Sequence, residues 1–121
     1  MKTYFGSRTA SGRALVIVKG EDGKPYNLSI NPSERLWSHS IEFEWGYGGS
    51  GPAQLALALL LDCTTDKQIA LALHQGFKRD VVATLPDNDW KITTEEINNW
   101  IADQQKRQVT EDIGHDKIPK D

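Results

Sequence analysis

The side chains best suited to acid–base chemistry in this sequence are Glu42 and Glu44, which alternate with the apolar Ile41, Phe43 and Trp45. Paired carboxylates can act as the acid and the base of an enzyme. The same alternation is also typical of two solvated glutamates on the open face of an antiparallel strand, with the apolar residues facing the core. We favour this second interpretation and assign no catalytic residue.

Two further side chains are candidate nucleophiles. Ser50 lies between Gly49 and Gly51, as in a nucleophile loop. The G-x-S-x-G motif of such loops, however, requires glycine at position 52, where this sequence has Pro52. Cys63 follows a long apolar segment that we predict to be a helix, and a helix C-terminus disfavours a thiolate. We therefore expect Cys63 to be a small buried hydrophobe.

The three histidines, His39, His74 and His115, have no metal-ligand spacing with one another or with Cys63. A structural zinc site needs four ligands, which are typically Cys and His. We predict no metal and no cofactor, although the sequence leaves open a metal site assembled from distant residues.

The segment Gly46–Pro52 is rich in glycine and leads into a predicted helix. Backbone N–H groups in such a turn can bind an anion. A P-loop would continue with Lys and Ser or Thr, whereas Pro52-Ala53 follows here. The alternative is a purely structural turn, with Gly48 and Gly49 at positive φ. If this segment is a binding site, the candidate binding residues in and beside it are Trp45, Tyr47, Gly48, Gly49, Ser50, Gly51 and Gln54.

Charge is distributed unevenly along the chain. Residues 1–35 contain six basic and three acidic residues, while residues 36–66 contain four acidic residues and no Lys or Arg. Nucleic-acid contact through the basic N-terminal hairpin would use Arg8, Arg13 and Lys19. We favour the alternative that these cations form a solvated face.

The periodicities predict an α+β fold, in which a small N-terminal antiparallel sheet of about three strands packs against about three helices. We predict strands at 13–19, 26–30 and 41–45, with a turn at Asp22-Gly23, and a short extended piece at 90–92. The helices are predicted at 52–62, 65–77 and 94–108. Because the helix from Pro52 is apolar on every side, it should be central and buried.

Residues 1–108 are predicted to form one domain, followed by a polar and loose tail at 109–121. The longest apolar run, residues 55–61, is too short to span a bilayer, and the N-terminus has no apolar signal segment. With a single cysteine, these features predict a cytoplasmic protein that makes no membrane contact.

Residues 45–56, W-G-Y-G-G-S-G-P-A-Q-L-A, resemble the signature of an uncharacterised bacterial family, a domain of unknown function. The similarity extends to residues 77–86 and 90–100, and so covers the chain to about residue 103. The resemblance implies an association with phages and plasmids, and hence a role in countering a host system or in replication. It assigns no activity, cofactor or binding residue.

Three functions follow as hypotheses. The first is a small non-enzymatic protein that binds another protein through the aromatic and glycine-rich loop. The second is a binder of a small molecule or a phosphate group, or an enzyme acting on one, that uses Gly46–Pro52. The third is a nucleic-acid binder. We expect Trp45 to point inward, whereas the loop itself sets the direction of Tyr47. The oligomeric state stays open.

Overall fold

The structure, a computed structural model, describes the backbone of residues 1–117 and the side chains of residues 1–107. Its four antiparallel strands form one sheet in the order β3-β2-β1-β4. The strands are β1 (Lys2–Arg8), β2 (Ala14–Gly20), β3 (Tyr26–Asn27) and β4 (Trp90–Thr93). The helices are α1 (Asn31–Leu36), α2 (Ser50–Thr64), α3 (Lys67–Asp80) and α4 (Thr94–Lys117), with a short 3-10 turn at Val82–Thr84. The α+β class is therefore confirmed.

One face of the sheet packs against the helices. Alternate residues of the strands, including Tyr4, Val16, Val18 and Ile92, are buried on that face. Their neighbours in sequence, such as Phe5 and Ile17, lie opposite each other in the β1–β2 register and are only partly buried. This alternation is what a sheet covered on one side requires.

Gly6 allows β1 and β4 to pair closely. Gly6 is directly opposite Trp90. A Cβ atom added at Gly6 would lie within 2.0 Å of the Trp90 indole. The ring therefore occupies the space that any larger residue at position 6 would fill.

Helix α2 is the centre of the core, as its apolar sequence predicts. All residues from 51 to 60 are buried, and Leu55, Leu57, Leu59 and Leu60 are fully so. They belong to one hydrophobic cluster that includes residues of the sheet, α3 and α4. A helix surrounded in this way has no polar face to present to water.

The helix ends follow local chemistry. Thr65 ends α2 in the left-handed conformation, with φ of 55°, and its N–H donates to the Leu61 carbonyl oxygen. Asp66 caps α3, and its side chain accepts from the N–H groups of Gln68 and Ile69. Thr93 and Glu96 form a capping box at the start of α4, since each side chain accepts from the other's backbone N–H.

The predicted strand at residues 41–45 is wrong. These residues form an irregular connection, in which Ile41 is exposed and Trp45 is buried. Its glutamates consequently do not lie on a sheet face. Strand β1 and helix α1 were not predicted, and β3 is shorter than residues 26–30 because the chain turns into α1 at Asn31-Pro32.

Helices α2, α3 and α4 match the predicted ones, with shifted ends. The sequence predicts that α4 fades near Gln108, whereas the helix continues to Lys117 in the described part of the chain. The helix was predicted to end near Gln108 because the residues after it are polar. Gln, Lys and Arg are nevertheless good helix formers, so polar residues can continue a helix. The looseness predicted for the tail stays a prediction, and residues 118–121 lie outside the described part of the chain. Among the described residues, no helix combines the length and hydrophobicity needed to cross a membrane.

Candidate functional site

The connection between α1 and α2, residues 37–49, carries three of the five large apolar side chains that are exposed in the described structure. We call it the 37–49 loop. Ile41 is 81% exposed, Tyr47 53% and Trp37 52%. A contiguous patch of exposed apolar side chains is a feature of surfaces that contact other molecules.

Buried polar groups support the first half of this loop from below. Gln54, at the start of α2, is fully buried, and its Oε1 accepts hydrogen bonds from the backbone N–H groups of His39 (2.7 Å) and Ser40 (3.1 Å). Its Nε2 donates to Ser33 Oγ at 2.9 Å. Gln54, predicted as a binding residue, therefore lies beneath the loop and holds the loop backbone in place.

Trp45 anchors the second half, as the inward orientation predicted for it requires. Its side chain is 1% exposed, and its Nε1 donates to the Asp87 carbonyl oxygen at 3.1 Å. The Arg8 guanidinium lies over the Trp45 ring, 4.4 Å from the ring centroid. It also pairs with Glu44 at 3.0 Å and with the Asp87 carboxylate at 3.2 Å. Arg8 thus joins β1 to the loop.

The glycines of the loop allow close packing. Gly46 has a φ of +88°, and its N–H donates to the Val82 carbonyl oxygen. The prediction of positive φ at Gly48 and Gly49 is wrong, because the chain makes its left-handed turn earlier, where Trp45 has just entered the core. The Tyr47 ring covers Gly49, where an added Cβ would lie 2.7 Å from the ring.

The N-terminus of α2 is poorly suited to free anions. An added Cβ at Gly51 would lie 2.8 Å from Glu44 Cβ, so an acidic side chain already packs there. Ser50 is exposed at the first position of the helix, and no Lys or Arg occurs between residues 36 and 66. Because Arg8 is paired with Glu44, the end of the helix has no free cation to complement an incoming phosphate.

A pair of histidines that are distant in sequence meets beside this loop. His74 is 1% exposed, and its Nδ1 lies 2.8 Å from the Leu71 carbonyl oxygen. A carbonyl only accepts, so Nδ1 carries the proton and, in the neutral ring, Nε2 is an acceptor. His39 Nε2, 2.9 Å away, then donates to it. Trp37 stacks on His39 with a centroid distance of 4.7 Å.

The surroundings of His39 favour its neutral ring. The pKa of His39 is lowered from its usual value, first by burial and then by the charges of His74 and Lys78. Sequence spacing gave no sign of the contact, since the two histidines belong to different elements. Among the side chains of residues 1–107, no group of three or more His, Cys, Asp or Glu could hold a metal ion.

The three predicted nucleic-acid contacts do not form one patch. Arg8 is engaged with Glu44 and Asp87 on the helix-covered side of the sheet. Arg13 is exposed just before β2, and Lys19 lies near the other end of that strand, with its Nζ 5.1 Å from the Phe5 ring centroid. Their separation along β2 leaves no continuous basic footprint.

The candidate nucleophile Cys63 is half-buried at the end of α2. Burial raises the pKa of its thiol above the usual value, and the negative charge of Asp62 adds to this effect. The thiol form is therefore favoured at neutral pH, as expected at a helix C-terminus.

The fold and this surface together define a small α+β protein that presents exposed aromatic side chains on a firmly anchored loop. The chain belongs to the family described as a family of unknown function (DUF6166), whose family model matches residues 4–103. The match spans the sheet, α2, α3 and the 37–49 loop. Comparisons with curated proteins and with solved structures gave no match.

Proposed function

We propose that this protein acts by binding another protein through the 37–49 loop, without catalytic turnover. The observation that carries the proposal is the exposure of Trp37, Ile41 and Tyr47 on one connection between α1 and α2. Aromatic side chains are enriched among the residues that dominate binding energy in protein interfaces.

The anchoring of the loop supports binding. Gln54 fixes the backbone at residues 39 and 40, while Trp45 and the Arg8–Glu44 pair fix the segment before Tyr47. A loop held in its bound conformation loses little conformational entropy when a partner docks. The exposed side chains are therefore presented on a preorganised surface.

The charge of the loop favours a different protein over a second copy. Glu42 is exposed beside Ile41, and Glu44 is already neutralised by Arg8. In a two-fold symmetric dimer whose axis passes beside Glu42, this carboxylate would face its symmetry mate. A partner with an apolar pocket and a basic group opposite Glu42 avoids that repulsion.

The polar side chains of the loop are engaged in the fold itself, which favours binding over turnover. Glu44 pairs with Arg8, and His39 bonds to His74. A general base must be free to reach the proton that it abstracts. The exposed Glu42 carboxylate makes no hydrogen bond to another described side chain, and Ser40 Oγ accepts from the Glu42 backbone N–H.

Site-specific photocrosslinking in cells that naturally encode the protein tests the proposal. A photoreactive amino acid placed at Ile41 should give an adduct with one different protein, and Tyr47→Ala in the same chain should abolish it. The matched controls are the photoreactive residue at Lys91, exposed on β4, and the substitution Asn99→Ala on α4.

The proposal is contradicted if the adduct from position 41 contains only a second copy of this chain. It is equally contradicted if position 91 gives the same adduct, or if Tyr47→Ala leaves the adduct unchanged. A reproducible hydrolytic activity that is lost with Ser50→Ala, Glu42→Gln, Glu44→Gln or Cys63→Ala would contradict the absence of turnover.

A further inference from the structure

A cleft opens at the other end of α2 from the 37–49 loop. Its volume is about 480 Å³, within the range of about 300–1,000 Å³ that is usual for small-molecule sites. The walls are mainly apolar and include Leu28, Pro32, Ala58 and Leu61. The part of α2 that lines the cleft runs from Ala58 to Asp62, in the C-terminal half of the helix, and no residue of the 37–49 loop lines it.

The polar end of the cleft is built around Asp62, whose side chain is 17% exposed. Its Oδ1 accepts from the hydroxyl of Tyr4 at 2.6 Å and from Lys2 Nζ at 3.1 Å. Its Oδ2 accepts from the Tyr26 hydroxyl at 2.8 Å. Tyr4 is fully buried, so the carboxylate is fixed from inside the core.

This network leaves positive charge facing the cleft. The Lys2 ammonium has three N–H donors and uses two, toward Asp62 and the Tyr26 hydroxyl. Lys67, at the first position of α3, also lines the cleft, and no ion pair joins it to another described side chain. Two cations therefore accompany one carboxylate, and the third donor of Lys2 is available to a ligand.

The protonation state of Lys2 is secure at neutral pH. Its pKa is raised, first by the hydrogen bond to Tyr26 and then by the hydrogen bond and charge of Asp62, against the opposing effect of burial. The ammonium is therefore a permanent feature of the polar end under physiological conditions.

We propose that this cleft binds a small apolar carboxylate, with the ligand carboxylate on Lys2 and its apolar body against Leu28, Ala58 and Leu61. Lys2, Lys67 and Asp62 together carry a formal charge of +1, which a single negative charge neutralises, whereas a doubly charged phosphate would leave an excess negative charge in the cleft. The site uses no residue of the 37–49 loop, and the small-molecule hypothesis thereby moves from the glycine-rich segment to the C-terminal half of α2.

Titration with octanoate, followed by backbone amide shifts in NMR, tests the site. Octanoate should produce saturable shifts at Tyr26–Ser29 and at Ala58–Thr65. 1-Octanol, which is neutral, and octyltrimethylammonium, which is a cation, have the same apolar chain. Both should bind at least about tenfold more weakly than octanoate, because they lack the negative charge that Lys2 recognises.

Variants of the cations complete the test. Lys2→Met should weaken octanoate binding by about tenfold or more, since a hydrogen bond to a charged group is lost. Lys2→Arg should retain binding, and Lys91→Met, on the exposed part of β4, should leave it unchanged. Lys67→Gln, at an exposed position, provides a second test that does not disturb the Asp62 network.

Three results would overturn the proposal. The first is the absence of saturable shifts at the cleft, and the second is binding of 1-octanol as tight as that of octanoate. The third is unchanged octanoate affinity in both folded Lys2→Met and folded Lys67→Gln. None of these results bears on the photocrosslinking at Ile41, so the two proposals can fail separately.

Discussion

At the scale of single residues, side chains of the same type have very different roles in this protein. Tyr4 is fully buried and donates to Asp62, whereas Tyr47 is 53% exposed and covers Gly49 with its ring. No described residue accepts a hydrogen bond from the Tyr47 hydroxyl, so the phenol oxygen contributes little to folding. The contrast separates a tyrosine that supports the fold from one that is available to a partner.

Removing one oxygen from each tyrosine makes this contrast measurable. Tyr47→Phe should change the free energy of unfolding by less than about 0.5 kcal/mol, as for most surface substitutions. Tyr4→Phe should lower it by about 1.5–3 kcal/mol, because a hydrogen bond to a charged group is lost. Urea unfolding of the two variants checks both values, and an equal loss in both would mean that Tyr47 is structural.

The His39–His74 pair predicts a pH dependence. The pKa of His39 is lowered in the folded protein, first by burial, whereas the unfolded chain has the ordinary value of about 6.5. Well above pH 6.5, His39 is neutral in both the folded and the unfolded protein. Below it the unfolded chain takes up the proton more readily, so stability should fall as the pH approaches the lower pKa of the folded state.

The measurement is the free energy of unfolding at several pH values from 7.5 to 5, for the unmodified protein and for His39→Gln. Carboxylates titrate in both proteins, so the difference between the two curves isolates His39. The unmodified protein should lose more stability on acidification than the variant. Parallel curves would show that His39 has the same pKa in both states.

At the scale of elements, predictability from sequence followed the strength of the local pattern. Helix α2 was predicted correctly because its apolar run has one stable environment, the interior. The strand at 41–45 was wrong because alternation requires only that Phe43 and Trp45 turn inward, and a loop achieves this while leaving Ile41 exposed. Strand β1 was missed because Gly6 weakens its local strand signal.

The candidate surface was only partly predictable for the same reason. The inward orientation of Trp45 was predicted correctly, because Trp45 follows Phe43 in the alternation of apolar and polar residues. The roles of Gln54 and Arg8 depend on partners far along the chain, Ser33 and Asp87, and no local pattern reveals such pairs. The exposure of Trp37 likewise follows from helix α1, which the sequence analysis did not predict.

The pairing of β1 with β4 gives a prediction about Gly6. Gly6→Ala would place a methyl group where the Trp90 indole lies, 2.0 Å from its nearest atom, and such overpacking costs about 1–3 kcal/mol or more. Gly20→Ala is the matched control, because an added Cβ there meets no atom within 4 Å. Thermal unfolding should show a clear loss for the first variant and a change near zero for the second.

At the scale of the whole molecule, one hydrophobic cluster connects the elements. It contains Tyr4 of β1, Val18 of β2, Leu59 of α2, Phe77 of α3 and Ile97 of α4. These described elements therefore share a single core. A domain organised in this way should unfold as one cooperative unit.

Leu59→Ala tests that cooperativity. Leu59 is fully buried, and its truncation should lower the free energy of unfolding by about 2–5 kcal/mol. Far-ultraviolet circular dichroism, which reports helix, and tryptophan fluorescence, which reports packing, should shift together to lower urea concentration. Transitions that separate in the variant would indicate that part of the molecule folds independently of α2.

The order of the sheet also determines when this protein can finish folding during synthesis. Strand β1 lies between β2, which follows it directly, and β4, which is made only after α2 and α3. At a translation rate of about 5–20 residues per second, one edge of β1 waits roughly 4–17 s for its neighbour. The nascent chain therefore exposes an unpaired strand edge on the ribosome, where it is open to chaperones or to misassociation until β4 emerges.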